Sequence, residues 1–169
     1  MQRDFNIGID IGKKGAIVIL AKQPWTNAVD PIAMPLIGDQ VDYHTVFEIL
    51  SRYKGTDCHV IFEKLGVIFG TGKSTAFSMG YQSGAIEMAC IALGLSYTKV
   101  PAKQWQKEMF QGVEEITKPG KSSRDTKAMA LIAAKRLFPD YRLTIGKSTV
   151  PHDGVVDALL MADYCKRKI

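Results

Sequence analysis

From Phe5 to Ile11 the chain reads Phe-Asn-Ile-Gly-Ile-Asp-Ile, an alternation that predicts a strand. Gly12-Lys-Lys-Gly15 is a tight turn, and the apolar run Ala16 to Lys22 completes a hairpin. A third strand is expected near Ile32–Leu36, where Pro31 and Pro35 keep it short or at an edge. Between Val41 and Tyr53 the residues Val46, Phe47, Ile49 and Leu50 have helical spacing, with Asp42 available as a cap. Cys58–Glu63 is the fourth strand, followed by a glycine-punctuated loop from Lys64 to Gly72. A long helix over Ser74–Leu93 is stopped by Gly94, and Ser96–Val100 is the fifth strand. Pro101 opens a short helix whose Trp105 is expected to cap the core. A flexible polar loop over Gly112–Ser123, a helix over Asp125–Phe138, an irregular stretch and a last helix from about Asp153 complete the chain. The pattern predicts an α/β fold, a five-stranded mixed sheet flanked by helices, as one domain over residues 1–169.

Composition narrows the class. The chain has 169 residues, 46% hydrophobic and 23% charged, which is globular composition. Its longest purely apolar run, Ala16–Ala21, is too short to span a bilayer, so no membrane association is expected. The charged start Met-Gln-Arg-Asp does not read as a signal peptide. Three scattered cysteines, Cys58, Cys90 and Cys165, form no CxxC pair and fit a reducing, cytoplasmic setting. The net charge of +5 is uneven: residues 99–147 hold 11 Lys/Arg against 5 Asp/Glu, while the remainder is close to neutral. A concentrated basic surface suits a polyphosphate partner, because each neutralised phosphate releases counterions. A solvated face rich in lysine is the plain alternative.

The acidic residues carry the chemistry. Asp10 lies inside a strand flanked by Ile9 and Ile11, and Glu63 ends the apolar run Val60-Ile61-Phe62. Asp153 and Asp157, four apart at the start of the last helix, share one face. A carboxylate in an apolar element is costly unless a cation or donor compensates it. Four of them converging would make an all-oxygen site suited to Mg²⁺ or Mn²⁺. Taken singly, Asp153 could equally serve the helix dipole and Glu63 could be merely exposed, whereas Asp10 has no such structural role.

The ordered set Gly-Ile-Asp10-Ile-Gly with its hairpin, Glu63 at a strand end, and the helix His152-Asp-Gly-Val-Val-Asp157-Ala-Leu-Leu resembles the ribonuclease H-like superfamily. Within it the chain is most similar to the RuvC-type Holliday junction resolvases, particularly the small bacteriophage versions, over nearly its whole length. The resemblance implies a homodimeric endonuclease that cuts four-way DNA junctions with two divalent metal ions per site. By position, Asp10 would bridge both ions, with Glu63, Asp153 and Asp157 holding one or sharing them. Many family members space the last two acidic residues three apart, and here they are four apart, so Asp157 ranks before Asp153 and His152 stays open as a contributor. The small and apolar residues of the Ser74–Leu93 helix make it a candidate dimer interface, or simply a helix packed on its own sheet.

Gly70-Thr-Gly-Lys-Ser74 imitates a phosphate-binding loop, but the full pattern needs glycine at 67, where this chain has Val67. No nucleotide cofactor is therefore expected. The loop reads better as a DNA contact, with Lys73 for phosphates and Phe69 either stacking on an unpaired base or sitting in the core. Lys103 and Lys107 face solvent or DNA, Arg124 belongs to the same basic stretch, and Lys118 and Lys121 could reach the scissile phosphate. A nuclease of the same fold acting on flaps or other branched DNA, and a catalytically silent DNA-binding module, are the competing readings.

Overall fold

The computed structural model describes residues 3–22, 29–66 and 72–169. Five strands form the main sheet: β1 (Phe5–Asp10), β2 (Ala16–Ala21), β3 (Ile32–Ala33), β6 (Cys58–Glu63) and β7 (Ser96–Val100). Their order is β3-β2-β1-β6-β7. The hairpin partners β1 and β2 are antiparallel, as are β2 and β3, while β6 joins β1 in parallel and β7 joins β6 in parallel. The sheet is thus mixed and flanked by helices, as the alternating patterns predict.

One expectation needs correction. The single strand near Ile32–Leu36 is instead two pieces: β3 stops at Ala33, and a separate ribbon pairs β4 (Leu36–Ile37) with β5 (Gln40–Val41). Pro35 lacks the N–H that a continuing ladder needs, and Gly38, at φ +59°, supplies the turn of the ribbon.

The strand period of two divides the core. Ile7, Ile9, Ile17, Ile19, Val60 and Phe62 point to the layer of α1 (Tyr43–Ser51) and α2 (Lys73–Leu93). Val18, Leu20 and Ile61 point the other way, toward α3 (Ala102–Met109), α4 (Thr126–Leu137) and α5 (Asp153–Lys168). Asp42 caps α1, its Oδ1 accepting from Thr45 N at 3.1 Å, and Gly94 ends α2 in the left-handed region at φ +69°. Helix α5 is buried nearly all round, from Gly154 to Cys165, and lies across β1, β2 and β6. Among the described residues no helix is long and apolar enough to cross a membrane.

Two glycines set the closeness of that contact. A Cβ on Gly8 would stand 1.9 Å from the carbonyl oxygen of Ala158 in α5. One on Gly154 would stand 2.7 Å from the carbonyl oxygen of Lys14 in the hairpin turn. Helix backbone therefore rests directly on strand and turn backbone, which no larger residue permits.

Candidate active site

The same alternation that buries Ile9 and Phe62 on one face turns Asp10 and Glu63 to the other. Ile9 pairs with Phe62 across the parallel strands, so Asp10 and Glu63 come next, side by side at the carboxyl ends of β1 and β6. Because Gly8 lets α5 descend onto β1 at Ala158, the preceding residue, Asp157, is brought to Asp10. Asp153 lies one turn earlier, at the first residue of α5.

The charges of these groups act on one another. Burial pushes the Asp10 carboxyl up to about 7, helped by the charges of Asp157, Glu63 and Asp153. Burial likewise raises Asp157 to about 7, reinforced by Glu63 and Asp153. Only the ammonium of Lys127 opposes both shifts. The four expected carboxylates thus share one electrostatic neighbourhood, although among the described residues no three acidic, His or Cys side chains close into a ligating cluster. Two of the four have protein partners instead. Asp153, exposed, accepts a 2.6 Å bond from Lys127 Nζ, and Glu63 Oε1 accepts a 3.0 Å bond from Trp105 Nε1. Asp157, Asp153 and Lys127 line a cleft of about 310 Å³ with Asp125, Val150 and Pro151.

His152 is a helix cap: its Nδ1 accepts from the Val155 N–H at 3.3 Å at the start of α5. Asp125 caps α4 in the same way, through Ala128 N at 3.1 Å.

The basic residues fall in two groups. Lys103, Lys107 and Arg124 line a groove of about 670 Å³ whose floor is Phe110, Val113 and Met129. Arg124 is already engaged, in an exposed ion pair with Glu115. Lys118 and Lys121 are exposed in the 112–125 segment, and Lys73 is exposed at the first residue of α2. That segment is more ordered than a flexible loop: Thr117 bridges Arg124, Lys118 N bonds Ser123 O at 2.9 Å, and Asp125 N bonds Ile116 O at 2.7 Å. The lysine whose charge reaches Asp10 and Asp157 is Lys127, in the first turn of α4, rather than Lys118 or Lys121. Phe69 and the rest of 67–71 lie outside the described residues.

Two contacts escape sequence reasoning, the Lys127–Asp153 pair and the Trp105–Glu63 bond. The second left a trace, since a buried indole N–H needs an acceptor.

No family model and no curated protein matches this chain. Solved structures do. Thermus thermophilus RuvC in complex with a Holliday junction substrate superposes with a TM-score of 0.59 at 15% identity, covering 94% of this chain and 90% of that one. A second Thermus thermophilus RuvC structure gives 0.54 at 16% identity, covering 95% and 94%. The fold is therefore the ribonuclease H-like α/β fold in its RuvC-like form.

Proposed function

We propose that this chain is a divalent-cation-dependent endonuclease that resolves four-way DNA junctions as a homodimer. The observation that carries the reading is the Asp10–Asp157 pair: two half-buried carboxyls, each held near 7, where α5 crosses the carboxyl end of β1 in a ribonuclease H-like sheet. Structural stability gives no reason to keep such a pair. A carboxylate pair offset only by the charge of Lys127, with Glu63 and Asp153 nearby, fits a hard cation, Mg²⁺ or Mn²⁺, and the two-ion complement of the resolvase family is proposed here with it.

When bound, the cations would stabilise charge on the attacking and leaving oxygens of an in-line phosphodiester displacement. The chain's own residues do the rest. Asp10 and Asp157 release their protons to become ligands, with Asp157 favoured over the exposed Asp153. Glu63 offers Oε2, since Oε1 is engaged by Trp105. Lys127 is free to exchange Asp153 for a phosphate oxygen of the strand. Lys73, Lys103, Lys107, Lys118 and Lys121 make no ion pair among the described residues and can meet the DNA backbone, with Arg124 joining them if Glu115 releases it.

The junction as substrate comes from the likeness to a RuvC solved with a Holliday junction; the dimer is proposed from the two-fold symmetry of such a junction, and one surface feature supports it. Along α2, Phe77, Tyr81, Met88 and Ile91 are exposed by 77%, 61%, 58% and 53%. With Gly84 they fall at alternating four- and three-residue steps, the seam of a helix pair. A two-fold dimer would present two identical sites to a junction of matching symmetry.

Labelled four-way junction, flap and plain duplex, each incubated with Mg²⁺, Mn²⁺ or EDTA, test the reading. Paired symmetric nicks in the junction alone, abolished by EDTA, are expected. Equal cutting of the flap would replace junction resolution by general branched-DNA cleavage, and binding without cutting would leave a silent DNA-binding module.

A further inference from the structure

We infer that Trp105 is the positioning residue of Glu63, fixing one oxygen of that carboxylate so that the other is presented to a cation. The inference rests on the nuclease reading above.

The geometry follows from the chain's path. Glu63 pairs with Val100 across β6 and β7, and Lys64 N bonds Val100 O at 2.8 Å, so the strand ends are locked together. Pro101 then caps α3 immediately, and the first turn of that helix carries Trp105 back over the end of β6. The ring is fully buried at 0% exposure, with Phe110 packed edge-on at 6.1 Å and 80°. An indole has one donor and no acceptor, and this one is directed at Glu63 Oε1 at 3.0 Å.

The donor's neutrality gives the contact its use. Asp153 shows the alternative: its partner is the Lys127 ammonium, which offsets its charge. Trp105 orients Glu63 without neutralising it, and the Glu63 charge still raises both Asp10 and Asp157. A rigid, buried, uncharged donor therefore removes the rotamer freedom of the ligand and leaves the attraction for a cation intact. Partners of this kind around metal-binding side chains are worth about 10- to 100-fold in affinity or activity.

Mn²⁺ binding, measured by calorimetry on the full chain at pH 7.5, tests this in three proteins: wild type, Trp105→Phe, and a protein carrying the benzothiophene isostere of tryptophan at 105. The isostere keeps the ring's shape and loses only the N–H. The expected result is about 10- to 100-fold weaker Mn²⁺ binding by the isostere protein at an unchanged melting temperature. Its cleavage should recover at saturating cation, so that the requirement for cation rises and kcat does not fall. Wild-type affinity in a fully folded isostere protein overturns the inference. A wild-type chain that binds no Mn²⁺ overturns the nuclease reading itself, and the inference falls with it. A second measurement needs no variant at position 105. The Trp105 indole N–H resonance, identified by its persistence in Trp25→Phe, should shift during a Mg²⁺ titration with the same saturation, and a resonance unmoved at saturation overturns the assignment.

Discussion

At the scale of single residues, the account turns on protons. Asp10 and Asp157 bind a proton more tightly folded than unfolded, with values of about 7 against the usual 3.8. The stability they contribute is full below about pH 4 and is lost as pH rises through 7, so without cation they weaken the fold at neutral pH. Asp10→Asn should therefore raise the melting temperature of the cation-free protein at pH 7.5, by an amount equivalent to roughly 2 kcal/mol. On the proposed function, the same substitution should lower junction cleavage at least about a hundredfold, since it would remove a ligand of the cations. His59 acts in the opposite sense. Burial pulls its ring down to about 4, while Nε2 meets Thr98 Oγ1 at 2.9 Å. Its neutral form supports the fold above pH 6.5, and that support is lost as pH falls through 4. Melting curves in EDTA should show the acid-side loss diminished in His59→Gln and the neutral-side loss diminished in Asp10→Asn.

At the scale of elements, α5 is the part that assembles the site. Gly8→Ala forces a methyl group to 1.9 Å from the Ala158 carbonyl and should cost at least about 3 kcal/mol in chemical denaturation, or prevent folding. Gly154→Ala likewise meets backbone, with Lys14 O at 2.7 Å and Gly15 Cα at 2.8 Å. Its expected signature is a clear loss of stability in chemical denaturation together with a loss of cation affinity, because the start of α5 and with it Asp157 is lifted from Asp10. Much of this layer was legible beforehand. Alternation in Phe5–Ile11, the apolar run ending at Glu63 and the caps Asp42 and Gly94 placed the strands and helices, and Asp10 was conspicuous because isoleucines flank it. Other features carry no local signal. Gly8 looks like any strand glycine until α5 lies on it, and the ribbon of Leu36–Val41 is too short for periodicity to show. The Lys127–Asp153 and Trp105–Glu63 contacts join residues 26 and 42 positions apart, so only the tertiary fold creates them.

At the scale of the whole molecule, the proposed function assigns chemistry to the acidic residues and grip on DNA to the basic ones. Lys103 and Lys107 rise from the helix that carries Trp105 and line a groove with Arg124. Junction binding should weaken steeply with salt, and Lys103→Glu with Lys107→Glu should flatten that dependence. On the opposite layer, the proposed dimer sets the exposed stripe of α2 against the partner copy. Phe77→Glu with Met88→Glu should give a folded monomer by analytical ultracentrifugation, one that nicks junctions without pairing its cuts. A variant still sedimenting as a dimer would move the interface elsewhere. The central claim, that Asp10 and Asp157 are the place a cation binds, is tested most directly by Mn²⁺ calorimetry at pH 7 in buffers of different ionisation enthalpy. Both carboxyls are partly protonated there, so binding should expel about one proton per site, a release that vanishes by pH 9 and is reduced in Asp157→Asn. Mn²⁺ binding with no proton release at pH 7, or with the same release in Asp157→Asn, would contradict the account.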